Sequence, residues 1–188
     1  DGVQNCLPKG RFNMREFTGY KKGVDLGGWL SQCGEGNYTE ERFNTFIVEK
    51  DIERIASWGA DHVRLPVDYN VIQNEDGSFK ESGFVHIDNC IEWCRKNNLK
   101  IVLDLHKAAG YVFDDAAYCG LFTDTKLQDI FVDLWVEITK RYAKYSDFVS
   151  FELLNEITKK ETADIWNCIA DRTIKAIREL NKDVKIII

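Results

Sequence analysis

VSFELLNEI, residues Val149 to Ile157, opens as an apolar, β-rich run and then sets an amide and a carboxylate, Asn155 and Glu156, side by side before apolar character resumes. In a plain strand such a pair marks an edge or a turn. Four other runs, KGVDLGG, HVRLPV, KIVLDLH and VKIII, are nearly continuous in apolar character, as parallel strands buried on both faces should be. The first three also carry polar residues towards their carboxyl ends: Asp25, then Arg64 and Asp68, then Asp104 and His106.

Helical periodicity fills the intervals. It predicts helices over about 39–58, with Thr39 as the cap, and over about 85–97, 124–145 and 161–180. Alternating strands and helices predict an α/β fold with a parallel sheet and right-handed crossovers. A doubly wound sheet would carry a G-x-G-x-x-G turn after its first strand, and DLGGWLSQCGEGN (25–37) has none. A (β/α)8 TIM barrel needs no such turn and gathers its functional groups at the carboxyl ends of its strands. Residues far apart in sequence would then meet at one mouth, with Glu156 facing Arg64 and His106.

The 188 residues are 44% apolar and 30% charged with two prolines, which describes one globular domain. A net charge of −6 without a basic stripe excludes nucleic acid as a partner. No apolar run is long enough to span a bilayer, and DGVQNCLPKG (1–10) has no signal-peptide core. The compartment stays open, with an extracellular one favoured. The six cysteines form no C-x-x-C pair. Cys90 and Cys94 fall on an apolar helix stripe with Ile87 and Ile91, whereas Cys33 and Cys119 lie in loops and are candidates to pair.

GVDLGGW (23–29), HVRLPVDY (62–69), VLDLHKAAG (102–110) and FELLNE (151–156) together resemble the successive strand motifs of glycoside hydrolase family 5, most closely its compact single-domain bacterial endoglucanases. The resemblance implies residues 1–20 as an extension and 21–188 as the amino-terminal part of a (β/α)8 catalytic domain, β1 to β5. It implies a retaining endo-β-1,4-glucanase without cofactor or metal. Glu156 would be the general acid/base and Asn155 would hold the sugar 2-hydroxyl, with Arg64 and His106 in the same site. The nucleophilic glutamate would lie on the seventh strand, beyond Ile188. Residues 1–188 alone would then be inactive, requiring the carboxyl-terminal half of the barrel and otherwise monomeric.

The chemistry needs two carboxyl groups: one to protonate the leaving oxygen, one to attack the anomeric carbon. Glu152 is read as alternating away from Glu156. Asp25 stands where many family members carry asparagine, and Lys107 where a second histidine is common. These two, with Asp68, Trp29, Tyr69, Tyr111 and Phe113, are candidate sugar contacts, the aromatic rings as stacking platforms. HKAAGYVFDDAAYCGLF (106–122) is expected to wall the glucan cleft. Alternatives are a β-mannanase, a mixed-linkage or exo-β-glucanase, and a non-catalytic glucan-binding half barrel. A metal-dependent hydrolase using Asp104 and His106 is disfavoured, since the three histidines are scattered and no H-x-H occurs.

Overall fold

The computed structural model describes residues 17–113 and 119–188. It contains strands β1 (Gly23–Asp25), β2 (His62–Asp68), β3 (Lys100–Lys107), β4 (Val149–Glu152) and β5 (Lys185–Ile187). All are parallel and ordered β1-β2-β3-β4-β5, each strand beside its predecessor. A doubly wound sheet must reverse its strand order at a switch point, and this one does not. Consecutive order with helical crossovers is the winding of a (β/α)8 barrel, of which these are five successive strands.

The pleat sorts each strand into two faces. Val63, Leu65, Val67, Ile101, Leu103, Leu105, Val149 and Phe151 are buried in one apolar cluster with helix residues such as Ile52, Ile87, Trp135 and Ile177. The residues between them are Arg64, Pro66, Asp68, Val102, Asp104, His106, Ser150 and Glu152, and the period of two puts them on the opposite face. The strands are therefore apolar on the helix side and largely polar on the other. The expected burial of both faces holds for most of β2 to β4, but the second face is polar where near-continuous apolar character was expected.

The helices are α1 (Glu40–Thr45), α2 (Glu49–Ser57), α3 (Tyr69–Ile72), α4 (Glu81–Lys96), α5 (Thr125–Tyr142) and α6 (Ala163–Leu180). Thr39 caps α1, accepting from Arg42 N at 3.2 Å. The single helix expected over 39–58 is two helices, broken at Phe46–Val48. Val48 N is drawn to the Asp51 carboxylate at 3.1 Å, which starts a new helix there. The Arg42 guanidinium lies over the Phe46 ring and donates to Gly28 O, fastening the break to the end of β1.

Helix α4 starts four residues before its expected position because Gly83 belongs inside it. A Cβ at residue 83 would stand 2.0 Å from Val71 O, so only glycine allows α3 and α4 to approach this closely. His86 therefore lies within α4, buried, with Nε2 3.1 Å from the Glu40 carboxylate. Cys33 and Cys119, the pair the loops suggested, are not joined to each other. Among the described residues no helix is long and apolar enough to cross a membrane. Residues 1–16, most of the expected amino-terminal extension, lie outside the described residues.

At the amino end of the sheet, the Asp61 carboxylate accepts from Lys21 N, Lys22 N and His62 Nδ1, the last at 2.6 Å. Burial pushes its pKa up, but the hydrogen bonds from His62 and the two backbone amides outweigh this and hold it at about 2. A depressed carboxyl pKa adds stability that is present above the ordinary value of 3.8 and is lost as pH falls through about 2. Asp61→Asn should therefore lower the melting temperature at pH 7, and the gap to the wild-type protein should close as thermal melts are taken down to about pH 2.

Candidate active site

The polar face of the sheet converges on Arg64. Its guanidinium donates from Nε to Glu152 Oε2 and from Nη2 to Glu152 Oε1, both at 2.8 Å, a two-point contact of matched planar groups. Nη2 also donates to Asn155 Oδ1 at 2.9 Å and lies 2.9 Å from Asp104 Oδ2, while Nη1 reaches Asp25 Oδ2 at 3.3 Å. Burial disfavours the charge on Arg64, but the Glu152 hydrogen bonds and the neighbouring carboxylates raise its pKa above the ordinary value. One cation thus ties the ends of β1 to β4.

His106 projects from the end of β3, where the β2–β3 register slips between Val67 and Asp68 and leaves His106 without a paired residue. Such bulges re-aim side chains. Its Nδ1 sits 2.8 Å from Asp104 Oδ2. An ionised carboxylate there selects the tautomer protonated on Nδ1 and leaves Nε2 as an acceptor. Nε2 of His106 and Nδ2 of Asn155 are buried and have no hydrogen-bond partner among the described residues. A buried acceptor and a buried donor left open together suit hydroxyl groups, which can both give and take a hydrogen bond.

Strand β4 ends at Glu152, and the segment beyond it leaves extended geometry. Asn155 N still bonds to Leu105 O at 3.1 Å, after which Glu156 takes φ of +48°. For a residue with a Cβ this costs roughly 1–3 kcal/mol, a strain found at sites where function fixes the backbone. Tyr111 OH donates to Glu156 O at 2.6 Å and pins the turn. The turn leaves the Glu156 side chain exposed, lining a cavity with Glu152, Leu154, Lys159, Trp166 and Ile187.

Glu152, expected to face away, lines the same cavity as Glu156. The two are an even number of residues apart, and the turn at Glu156 does not reverse that relation. A second polar group lies at the ends of β2 and β3. The buried Asp68 carboxylate accepts from Gln32 N at 2.9 Å and from Tyr38 OH, with Lys107 Nζ at 3.4 Å. Burial and the Asp68 carboxylate together raise the Tyr38 pKa.

The aromatic candidates divide. Trp29 is 0% exposed, stacked near Trp93 with Nε1 bonded to Phe43 O, and so presents no face to a sugar. Tyr111 is 3% exposed, and its role is to hold Glu156 rather than to stack. Phe113 is half-buried with its ring edge-on to His106, and Tyr69 is half-buried at the start of α3. Asp25 is exposed beside Arg64. The expected cleft wall is only partly described, since residues 114–118 fall within it. Sequence reasoning set Glu152 aside as alternating away from Glu156 and passed over Tyr38. The two-residue period that joins Arg64, Asp104 and Glu152 on one face could have found the first.

Parallel strands wound in order, with their polar groups gathered at the carboxyl ends, define a barrel protein of the kind that places its chemistry at that mouth. Residues 26–188 match the model for cellulase (glycosyl hydrolase family 5), and the chain belongs to that family. It is 47% identical over 176 residues to cellodextrinase A of Ruminococcus flavefaciens, covering 93% of this chain and 52% of that protein. It is 47% identical over 167 residues to endoglucanase C of Acetivibrio thermocellus, covering 88% and 48%. A solved structure described as a glycoside hydrolase superposes with a TM-score of 0.77 at 30% identity, over 89% of this chain and 52% of that one. The chain spans about half the length of the relatives it matches.

Burial pushes the Asp104 carboxyl up to about 6, against the lowering effect of its hydrogen bond with His106. A raised carboxyl pKa means that the folded protein holds this proton more tightly than the unfolded chain does. The resulting stability is complete below the ordinary 3.8 and is lost as pH rises through about 6. The melting temperature of the wild-type protein relative to Asp104→Asn should therefore fall between those two values and level off above about 6. A flat difference across that range would place the titration elsewhere.

Proposed function

We propose that the protein is a retaining endo-β-1,4-glucanase, with Glu156 as general acid/base and Asn155 holding the sugar 2-hydroxyl. The observation that carries this reading is the contrast between neighbours. Asn155 is locked by Arg64 with Nδ2 left open, while Glu156 stands free on a strained turn at the strand end. Two relatives at 47% identity are named for action on cellodextrin and as an endoglucanase, which supports a β-linked glucan as substrate. His106 Nε2 and Asn155 Nδ2 would receive hydroxyls of the sugar at the cleavage point. Asp25, Asp68, Lys107, Tyr69 and Phe113 would line the cleft around it.

On this reading residues 21–188 are the amino-terminal part of a (β/α)8 catalytic domain. The attacking carboxylate is assigned to the part of the relatives' length that this chain does not span. Double displacement needs the two carboxyl groups about 5 Å apart. Arg64 and its carboxylate partners keep the floor of the site charged, so that the acid can work on a substrate held by its hydroxyls.

The test uses the full polypeptide on carboxymethylcellulose, lichenan, barley glucan and mannan, with the anomeric form of the products followed by NMR. Glucan cleavage with retention is expected, and dominant mannan cleavage or inversion would overturn the reading. Glu156→Gln should cost about 10²-fold or more in kcat on glucans, where the leaving group needs a proton, and far less on an activated aryl glycoside. Equal, small losses on both substrates would make Glu156 structural.

A further inference from the structure

We propose that Glu152 is a positioning residue for this reaction, acting through Arg64 to set the side-chain amide of Asn155. The proposal rests on the glucanase reading of the site. Arg64 Nη2 carries two hydrogens and has three acceptors within 2.9 Å: Glu152 Oε1, Asn155 Oδ1 and Asp104 Oδ2. The fork between Glu152 and the Nε and Nη2 edge of Arg64 fixes the plane of the guanidinium. With one Nη2 hydrogen committed to Glu152, the other is aimed at Asn155 Oδ1. An amide held by its oxygen must turn Nδ2 the other way, and Nδ2 is the atom left without a partner among the described residues.

Two further carboxylates compete for the same cation, Asp104 at 2.9 Å and Asp25 at 3.3 Å. Without the Glu152 carboxylate the guanidinium is free to swing towards them, Asn155 loses its anchor, and its amide can flip. Nδ2 would then no longer face the sugar. The same two carboxylates keep Arg64 paired in such a variant, so the fold survives the loss of one partner. A misplacement of this kind costs up to about 10²-fold in rate.

The experiment is a double-mutant cycle in the full polypeptide with Glu152→Gln, Asn155→Ala and both, on a soluble β-glucan. Glu152→Gln should lower kcat by about 10- to 100-fold with little change in KM or melting temperature. In the Asn155→Ala background the same change should cost less than about 2-fold, because residues acting as a unit are not additive. An equal loss in both backgrounds would overturn the proposal. Glu152→Asp keeps the charge on a shorter arm and serves in the cycle if Glu152→Gln does not fold. A second measurement needs no turnover: in ¹⁵N spectra Glu152→Gln should move both the Arg64 Nε–H and the Asn155 side-chain amide signals. If the wild-type enzyme leaves every glucan intact, the glucanase reading fails, while an unmoved Asn155 amide overturns the positioning role by itself.

Discussion

The partial burial of one guanidinium among four strand ends governs this site. Moving Arg64 out of water costs several kcal/mol unless every direction around it holds an acceptor. Glu152, Asn155, Asp104 and Asp25 supply those acceptors from β4, the segment after it, β3 and β1. Each lies on the polar face of the sheet only because the register is what it is. Asp25 pairs with Arg64, Pro66 with Asp104, and Asp104 with Glu152. A slip of one residue in β1, β3 or β4 would turn that strand's carboxylate towards the helices and take one partner from the cation. Register, charge balance and the placing of Asn155 are therefore one constraint seen from three sides.

Much of this was legible. The polar strand ends, the absence of a phosphate-binding turn and the alternation of periods led to the barrel, and the motifs around Arg64, His106 and Asn155–Glu156 led to the family. The alternation was also there to read in HVRLPVD and in the LDLH that ends β3, where apolar and other residues take turns. Reading those runs as continuously apolar hid the polar face, and with it the part Glu152 plays. What could not be read locally was decided by tertiary contact. The helix break at Phe46–Val48 depends on Arg42 reaching Gly28 O, and the early start of α4 depends on Val71 O lying where a side chain at Gly83 would be. An aromatic residue after a strand end looks the same in sequence whether it stacks on a sugar or fills the core. Trp29 and Tyr111 proved to be inside because Phe43 O and Glu156 O take their polar atoms.

The long segment after β3 has a clear structural task in the residues described. Ala108 and Tyr111 exchange backbone hydrogen bonds, which folds the chain back, and Gly110 O accepts from Leu121 N where the segment rejoins the domain. That tight return brings the Tyr111 hydroxyl to Glu156 O across the gap between β3 and β4. A loop of one βα unit thereby fixes the backbone of the next.

The division of stiffness around Glu156 follows from this. Its carbonyl is held by Tyr111 and the preceding amide by Arg64, while its own carboxylate lies exposed in the cavity. On the acid/base role proposed for Glu156, its oxygens have to stay free for the reacting atoms, so nearby protein partners would compete with that task. The precision it needs must then come from the backbone. A turn in the left-handed region, braced on both sides, places the Cα–Cβ bond without touching the carboxyl group. Strain in the chain at Glu156 is thus what lets its side chain be aimed and yet unoccupied.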